Sequence, residues 1–199
     1  MSENKNLNSV LKSVSKPGRY IGMEYNQIIK NKSDIKCRFA FCFPDTYEIG
    51  MSNLGVRILY DALNREDDIW CERVYAPWVD MKEQMERYSL PLTAMESGDP
   101  VSSFDLVGFS LQYELCYTTA LSMMKLAGIP IYSKDRTEDT PIIIAGGPCV
   151  YNAEPVADFF DLVNIGEGEE VLVEISRLYI KMKEDGSYSR KSFLREASH

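Results

Sequence analysis

Short apolar runs alternate with helix-like segments between residues 35 and 184. The runs are rich in β-branched, aromatic or small apolar residues and are bounded by turn residues; they span residues 36–43, 70–76, 104–111, 141–145 and 160–165. Runs of this length and composition are typical of strands buried on both faces. Between the runs, apolar residues recur at intervals of three and four, as they do along one face of a helix.

The segments between the strands predict helices. We expect them to start near Met51, at Val79, near Tyr113 and shortly after Gly168. Ser52 is the candidate N-cap residue of the first helix. The apolar stripe predicted to face the core in that helix consists of Met51, Leu54, Ile58, Leu59, Ala62 and Leu63.

This alternation predicts an α/β fold: a doubly wound, mostly parallel five-stranded sheet of the flavodoxin-like type with an N-terminal extension. The expected strand order is 2-1-3-4-5, with the other common doubly wound order as the alternative. We divide the chain into an N-terminal arm (1–34), a Rossmann-like domain (35–184) and a polar tail or truncated linker (185–199).

Composition and charge narrow the class of protein. The chain of 199 residues is 45% hydrophobic and 26% charged, as in ordinary globular proteins. Its net charge of −8, without a local basic face, argues against nucleic-acid binding. No apolar run approaches the roughly 20 residues that cross a bilayer, and no signal-peptide core is present. These features predict a cytoplasmic protein that contacts no membrane.

Cysteine and histidine usage excludes several kinds of site. The five cysteines include no C-x-x-C pair, which argues against a disulfide framework or a zinc ribbon. We expect them to be small buried residues, with Cys37 and Cys42 on opposite faces of the first strand. The only histidine is His199, so Ser-His-Asp triads, Cys-His dyads and H-E-x-x-H zinc sites are disfavoured.

The loops that follow the strands hold the candidate binding residues. In a parallel sheet these loops gather at one edge, where ligands bind. Glycine in such a loop allows close approach to the backbone, although strand-to-helix turns also use it. The candidates are Asp45, Tyr47 and Gly50 after the first strand, Ser110 and Leu111 at the end of the third, and Gly146 and Gly147 at the end of the fourth.

In chain order these residues form D-x-Y-x-x-G, S-L and G-G, which resembles the D-x-H-x-x-G, S-x-L and G-G pattern of the cobalamin-binding domain. The resemblance implies that Asp45, Gly50, Ser110, Gly146 and Gly147 line a deep slot for the nucleotide tail of cobalamin. Leu111 lies one position earlier than the family's leucine. Because Tyr47 stands where the family has its cobalt-ligating histidine, the resemblance implies cobalamin binding without a histidine ligand.

A longer resemblance covers nearly the whole chain. Residues 15–22, 43–55, 74–78, 108–115, 144–148 and 165–170 are similar to the amino-terminal region of cobalamin-binding-domain radical S-adenosylmethionine proteins. This implies an accessory domain placed before a catalytic barrel that would be its partner. S-adenosylmethionine and a 4Fe-4S cluster would then belong to that missing downstream domain, because the barrel's C-x-x-x-C-x-x-C signature does not occur here.

Two alternatives remain open at this point. The fold could serve as a docking or substrate-presenting domain without a ligand, since Tyr47, Trp78 and Tyr113 place bulky rings near the predicted slot. A flavin carrier is less favoured, because no Ser/Thr-rich phosphate loop follows the first strand. The chain shows no complete catalytic set; Asp45, Glu48 and Glu114 are the carboxylates expected near the edge.

Overall fold

The structure, a computed structural model, describes residues 9–198 and contains one five-stranded sheet within them. Its strands are β1 (Cys37–Phe43), β2 (Ile69–Tyr75), β3 (Leu106–Ser110), β4 (Ile142–Gly146) and β5 (Leu162–Val163). All pairs are parallel, and the order is β2-β1-β3-β4-β5. The flavodoxin-like prediction is therefore confirmed.

Helices cover both faces of the sheet. They are α1 (Tyr47–Gly50), α2 (Leu54–Asn64), α3 (Val79–Tyr88), α4 (Cys116–Leu126), α5 (Val171–Glu184) and α6 (Arg190–Glu196). Apolar side chains of α2, α5 and α6 pack with one face of the sheet, and those of α3 and α4 pack with the other. We call these the α2/α5 face and the α3/α4 face.

The alternation of side chains along β1 separates the two cores. Cys37 packs on the α2/α5 face and Cys42 on the α3/α4 face, as predicted from their odd spacing. Burial raises the pKa of both thiols. Cys71 and Cys116 are also buried, whereas Cys149 is half-buried.

The last strand is shorter than expected. Residues 160–165 predicted a full strand, but β5 contains only Leu162–Val163. It is an edge strand that pairs with β4 alone. The Phe160 ring packs edge-on against Phe109 in the α3/α4 core. The Asp161 carboxylate forms ion pairs with two buried arginines, Arg136 and Arg190. Side-chain packing thus replaces strand pairing before Leu162.

The first long helix begins later and faces differently than predicted. Helix α2 starts at Leu54, and the side chain of Asn53 accepts a hydrogen bond from the N–H of Val56, so Asn53 rather than Ser52 is the cap. Three members of the predicted stripe, Met51, Leu54 and Ile58, are exposed. The residues that pack on the sheet are Val56, Tyr60 and, from the predicted stripe, Leu63, with Leu59 partly buried against the same core.

Both ends of the described chain pack against the sheet domain. At the start, Val10 and Val14 are buried, and the backbone and hydroxyl of Ser15 bond to Asp80. In the stretch interpreted as a polar tail, α6 begins with a Ser189–Ser192 capping box and buries Phe193 completely. The division of the chain into domains stays a prediction.

No helix within residues 9–198 has the length and apolar character needed to span a membrane.

Candidate functional site

Small residues on one face of the sheet leave a cleft at the carboxyl ends of β3 and β4. Because side chains alternate along a strand, Gly108 and Ser110 of β3 face the same side as Ile144 and Gly146 of β4, and the pairs lie opposite each other in the ladder. The resulting cleft measures about 170 Å³ and lies on the α2/α5 face. We call it the edge cleft.

Residues from several elements enclose the edge cleft. Phe41 of β1 extends its floor toward the point where the strand order reverses, at which doubly wound sheets bind ligands. Its walls come from two helices, with Gly55 and Leu59 on α2 and Leu172 on α5. Its mouth is formed by polar residues after β3 and β5, namely Gln112, Asn164, Glu167 and Glu169.

The two neighbouring glycines at the end of β4 have different roles. A Cβ atom at Gly146 would meet no atom within 4 Å, so this glycine leaves the edge cleft open without being required by the packing. Gly147 has φ +97°, and its Cβ would lie 2.8 Å from the carbonyl oxygen of Leu111. The backbone of Leu111 bonds to both sides of this turn, through Gly146 and Cys149. Only Gly147 is thus required by the turn.

This difference predicts opposite outcomes for two adjacent substitutions. Gly147→Ala forces a side chain into a positive φ and against backbone, and we expect it to lower the free energy of unfolding by about 2 kcal/mol or more. Gly146→Ala should leave that free energy within about 0.5 kcal/mol of the wild type. Urea unfolding followed by circular dichroism measures both; equal losses would contradict the assignment.

Some of the polar groups at the mouth already form hydrogen bonds with neighbouring groups of the protein. The side-chain amide of Gln112 donates to the Ser110 hydroxyl at 2.6 Å, which holds that hydroxyl at the floor of the cleft. The amide of Asn164 contacts the carbonyl of Glu167 at 3.4 Å. Within the described residues, the carboxylates of Glu167 and Glu169 make no ion pair. The mouth therefore offers hydrogen-bond acceptors.

Asp45 lies on the same edge but is engaged in local structure. One oxygen of its carboxylate accepts the N–H of Thr46, and the other accepts the hydroxyl of Tyr113 at 2.7 Å. That hydrogen bond to Asp45 is the main reason why the pKa of Tyr113 rises to about 12. The pair ties the loop after β1 to the loop after β3, beside the edge cleft.

The remaining predicted residues do not line the edge cleft. Tyr47 packs edge-on against Tyr75 and donates its hydroxyl to Glu24, on the β2 side of the sheet. Burial, and then the hydrogen bond to Glu24, raise the pKa of Tyr47 to about 12. Gly50 lies against the Tyr75 ring, where a Cβ would come within 2.4 Å. Leu111 is fully buried in the α3/α4 core.

The structure thus brings Ser110, Gly146 and Gly147 together at the edge cleft, with Asp45 nearby on the same edge. Sequence reasoning missed Gly108, Asn164 and Gly168 as lining residues. The signal for Gly108 was available, because a glycine two positions before Ser110 faces the same side of the strand. Within the described residues, no group of three or more histidine, cysteine, aspartate or glutamate side chains could hold a metal ion.

Comparisons with known proteins identify the family. The chain matches the family model described as "Radical SAM proteins, N-terminal" over residues 55–199. An uncharacterized protein of Methanocaldococcus jannaschii is 27% identical over 154 residues, which make up 76% of this chain and 28% of that protein. The chain therefore spans less than a third of that relative's length. No solved structure shows a significant match. Because the family model covers well over half of it, the chain belongs to the family of N-terminal domains of radical S-adenosylmethionine proteins.

Proposed function

We propose that this domain binds cobalamin and that the edge cleft receives the cofactor's nucleotide tail. The observation that carries the proposal is the pair of small residues Ser110 and Gly146, opposite each other on β3 and β4, which leaves a cleft on one face of the sheet at the ligand-binding edge. The family assignment gives the setting, an accessory domain that works with a radical S-adenosylmethionine domain.

The size of the cleft favours a part of a cofactor over a whole one. Pockets for complete small molecules usually measure about 300–1,000 Å³. The edge cleft, at about 170 Å³, suits a single bicyclic aromatic base such as the end of a nucleotide tail. The apolar walls, Leu59 and Leu172, would cover the faces of such a base. The Ser110 hydroxyl would meet its polar edge.

The edge around the cleft offers a surface for the remainder of a corrinoid. Its exposed apolar residues include Leu54 at the start of α2 and Ile165 in the loop after β5, which are 67% and 62% exposed. Glu167 and Glu169 present acceptors to the amide groups that surround a corrin ring. These features support a flat ring lying over the edge, with its tail in the cleft.

Cobalamin would bind without an imidazole from this domain. Tyr47, at the position of the family's histidine, is turned toward Glu24 and Tyr75 on the β2 side. The chain's histidine, His199, lies outside the described residues. The lower side of a corrinoid on the edge would therefore face the loop after β1 without an imidazole ligand from residues 9–198.

Binding of hydroxocobalamin by the whole chain tests the proposal. We expect anaerobic incubation under reducing conditions, followed by desalting, to leave cobalamin on the protein at close to one equivalent, visible in the absorption spectrum. If the desalted protein carries no cobalamin after incubation with a large excess of hydroxocobalamin, the proposal is overturned.

A second function is favoured by the exposed apolar residues of the same edge. Leu115 before α4 is 82% exposed, and Tyr151 after β4 is 75% exposed. With Leu54 and Ile165 they make four exposed apolar side chains from the segments at this edge, and groups of such side chains mark surfaces that meet another protein or a ligand. If the protein retains no cobalamin, this edge is proposed instead as the surface that docks onto the radical S-adenosylmethionine domain.

A further inference from the structure

The Ser110 hydroxyl is the polar group at the floor of the edge cleft. Among the described strand residues that line the cleft, Ser110 alone has a polar side chain. It is 9% exposed and pairs in the ladder with Gly146, whose Cβ position lies in open space. Because paired residues point to the same face of a sheet, the Ser110 side chain borders that space. A molecule in the cleft therefore meets this hydroxyl.

Gln112 holds the hydroxyl from the mouth of the cleft. Its side-chain amide donates to the Ser110 oxygen at 2.6 Å. The spacing suits this contact, since Leu111 points into the α3/α4 core, and Gln112 returns to the side of Ser110. Hydrogen bonds of the Leu111 backbone with Gly146 and Cys149 fix the chain between the two side chains.

This hydrogen bond leaves the Ser110 proton available. A hydroxyl offers one donor and two acceptor sites. Within residues 9–198 the Ser110 hydroxyl takes part in no other hydrogen bond, so Gln112 occupies one acceptor site and the proton has no acceptor. An unpaired donor at a buried position is unfavourable, and a ligand atom that accepts the proton removes this cost. The cleft therefore favours a ligand that brings an acceptor.

The other lining residues limit the kind of acceptor. Leu59 and Leu172 give the cleft two apolar walls that suit the faces of a flat ring. The carboxylates of Glu167 and Glu169 at the mouth repel an anion. A neutral aromatic ring with a lone pair on a ring nitrogen meets these conditions, whereas a carboxylate or a phosphate does not.

We propose that Gln112 is a positioning residue that turns the Ser110 hydroxyl into a hydrogen-bond donor, so that the edge cleft selects flat bicyclic bases with a ring-nitrogen acceptor. The inference rests on the proposed function and narrows it, because it states which bases the cleft accepts at the end of a corrinoid's tail. A base without such a nitrogen leaves the Ser110 proton unpaired and binds less tightly.

Two probes of the same shape test the inference. N-methylbenzimidazole has a ring nitrogen with a free lone pair, and N-methylindole has a C–H at the same position. We expect the whole chain to bind the benzimidazole about 5-fold more tightly, as measured by NMR titration at slightly alkaline pH. Ser110→Ala should abolish this preference and leave the affinity for N-methylindole within about 2-fold of the wild type.

Gln112→Glu tests the positioning role. An ionised carboxylate only accepts hydrogen bonds, so the Ser110 hydroxyl would donate to it and turn its lone pairs toward the cleft. We expect the preference for the benzimidazole to fall below about 2-fold, with the affinity for N-methylindole unchanged. If Gln112 served stability alone, its replacement would weaken the binding of both probes alike.

Gln84→Glu is the matched control, because it makes the same change at a half-buried residue of α3 that does not line the edge cleft. It should keep the wild-type preference. Circular dichroism of each variant verifies the fold.

The outcomes separate this inference from the proposed function. Absence of saturable binding of both probes would overturn the inference. So would equal affinities of the wild type, a wild-type preference for N-methylindole, or a preference that Gln112→Glu leaves unchanged, even in a protein that retains hydroxocobalamin. Failure to retain hydroxocobalamin, with the preference and its loss in Gln112→Glu both observed, would overturn the cobalamin assignment and leave the base selectivity of the cleft standing.

Discussion

Asp161→Asn should lower the free energy of unfolding by about 3–5 kcal/mol, among the largest effects expected of a single substitution in this protein. The Asp161 side chain is fully buried, and Arg136 at 2.9 Å and Arg190 at 2.5 Å pair with it. It also accepts the N–H of Ile143 and the hydroxyl of Ser133. Removal of the negative charge leaves two guanidinium groups uncompensated, and Arg136 has no exposed side-chain surface. Urea unfolding measures the loss.

Asp158→Asn is the matched control, since it makes the same chemical change three residues away at an exposed position. We expect it to change the free energy of unfolding by less than about 0.5 kcal/mol. A loss below about 1 kcal/mol for Asp161→Asn would show that the buried cluster does not hold β5 and α6 in place.

Gly146→Leu should remove cobalamin binding while the protein stays folded. The substitution places a side chain in open space inside the edge cleft, where the proposed nucleotide tail would lie. We expect the dissociation constant for hydroxocobalamin to rise at least about 30-fold, which corresponds to about 2 kcal/mol of steric cost. Absorbance titration gives the constant, and the urea midpoint tests the fold.

Gly18→Leu is the corresponding control. The Cβ position of Gly18 is also open, but this residue lies in the short helical turn Pro17–Tyr20 and does not line the edge cleft. It should bind hydroxocobalamin as the wild type does. If both leucine variants retain full affinity, the tail does not enter the cleft between β3 and β4.

The fold could be predicted from the sequence because its signals are local and agree with one another. Helix α3 was expected to begin at Val79, and the structure places its first residue there. The strand order followed from the repeated strand–loop–helix pattern and the preference for right-handed crossovers. These features depend on backbone preferences and on burial, both of which a sequence reveals.

Features that depend on single tertiary contacts could not be predicted. Helix α6 lies in a polar stretch, and one residue, Phe193, with an ion pair from Arg190, fixes it to the sheet domain. In α2 the apolar residues occur on two sides, so the pattern did not distinguish the exposed Leu54 from the buried Val56. The choice between those sides is made by the neighbouring elements.

The candidate site was predicted in part. Ser110, Gly146 and Gly147 line the edge cleft, as their positions at the ends of adjacent strands suggested. Tyr47 was placed with them because of its position in the motif, yet its ring packs against Tyr75 on the β2 side of the sheet. A motif gives the order of residues along the chain, whereas the direction of a side chain in a one-turn helix such as α1 is decided by packing, here against Tyr75.

The most direct measurement compares the affinities of the wild-type chain for cobalamin and for cobinamide, a corrinoid that has the same ring but lacks the nucleotide tail. If a tail buried between β3, β4 and the two covering helices supplies the binding energy, cobalamin should bind at least about 100-fold more tightly. Equal affinities, or a preference for cobinamide, would contradict the account.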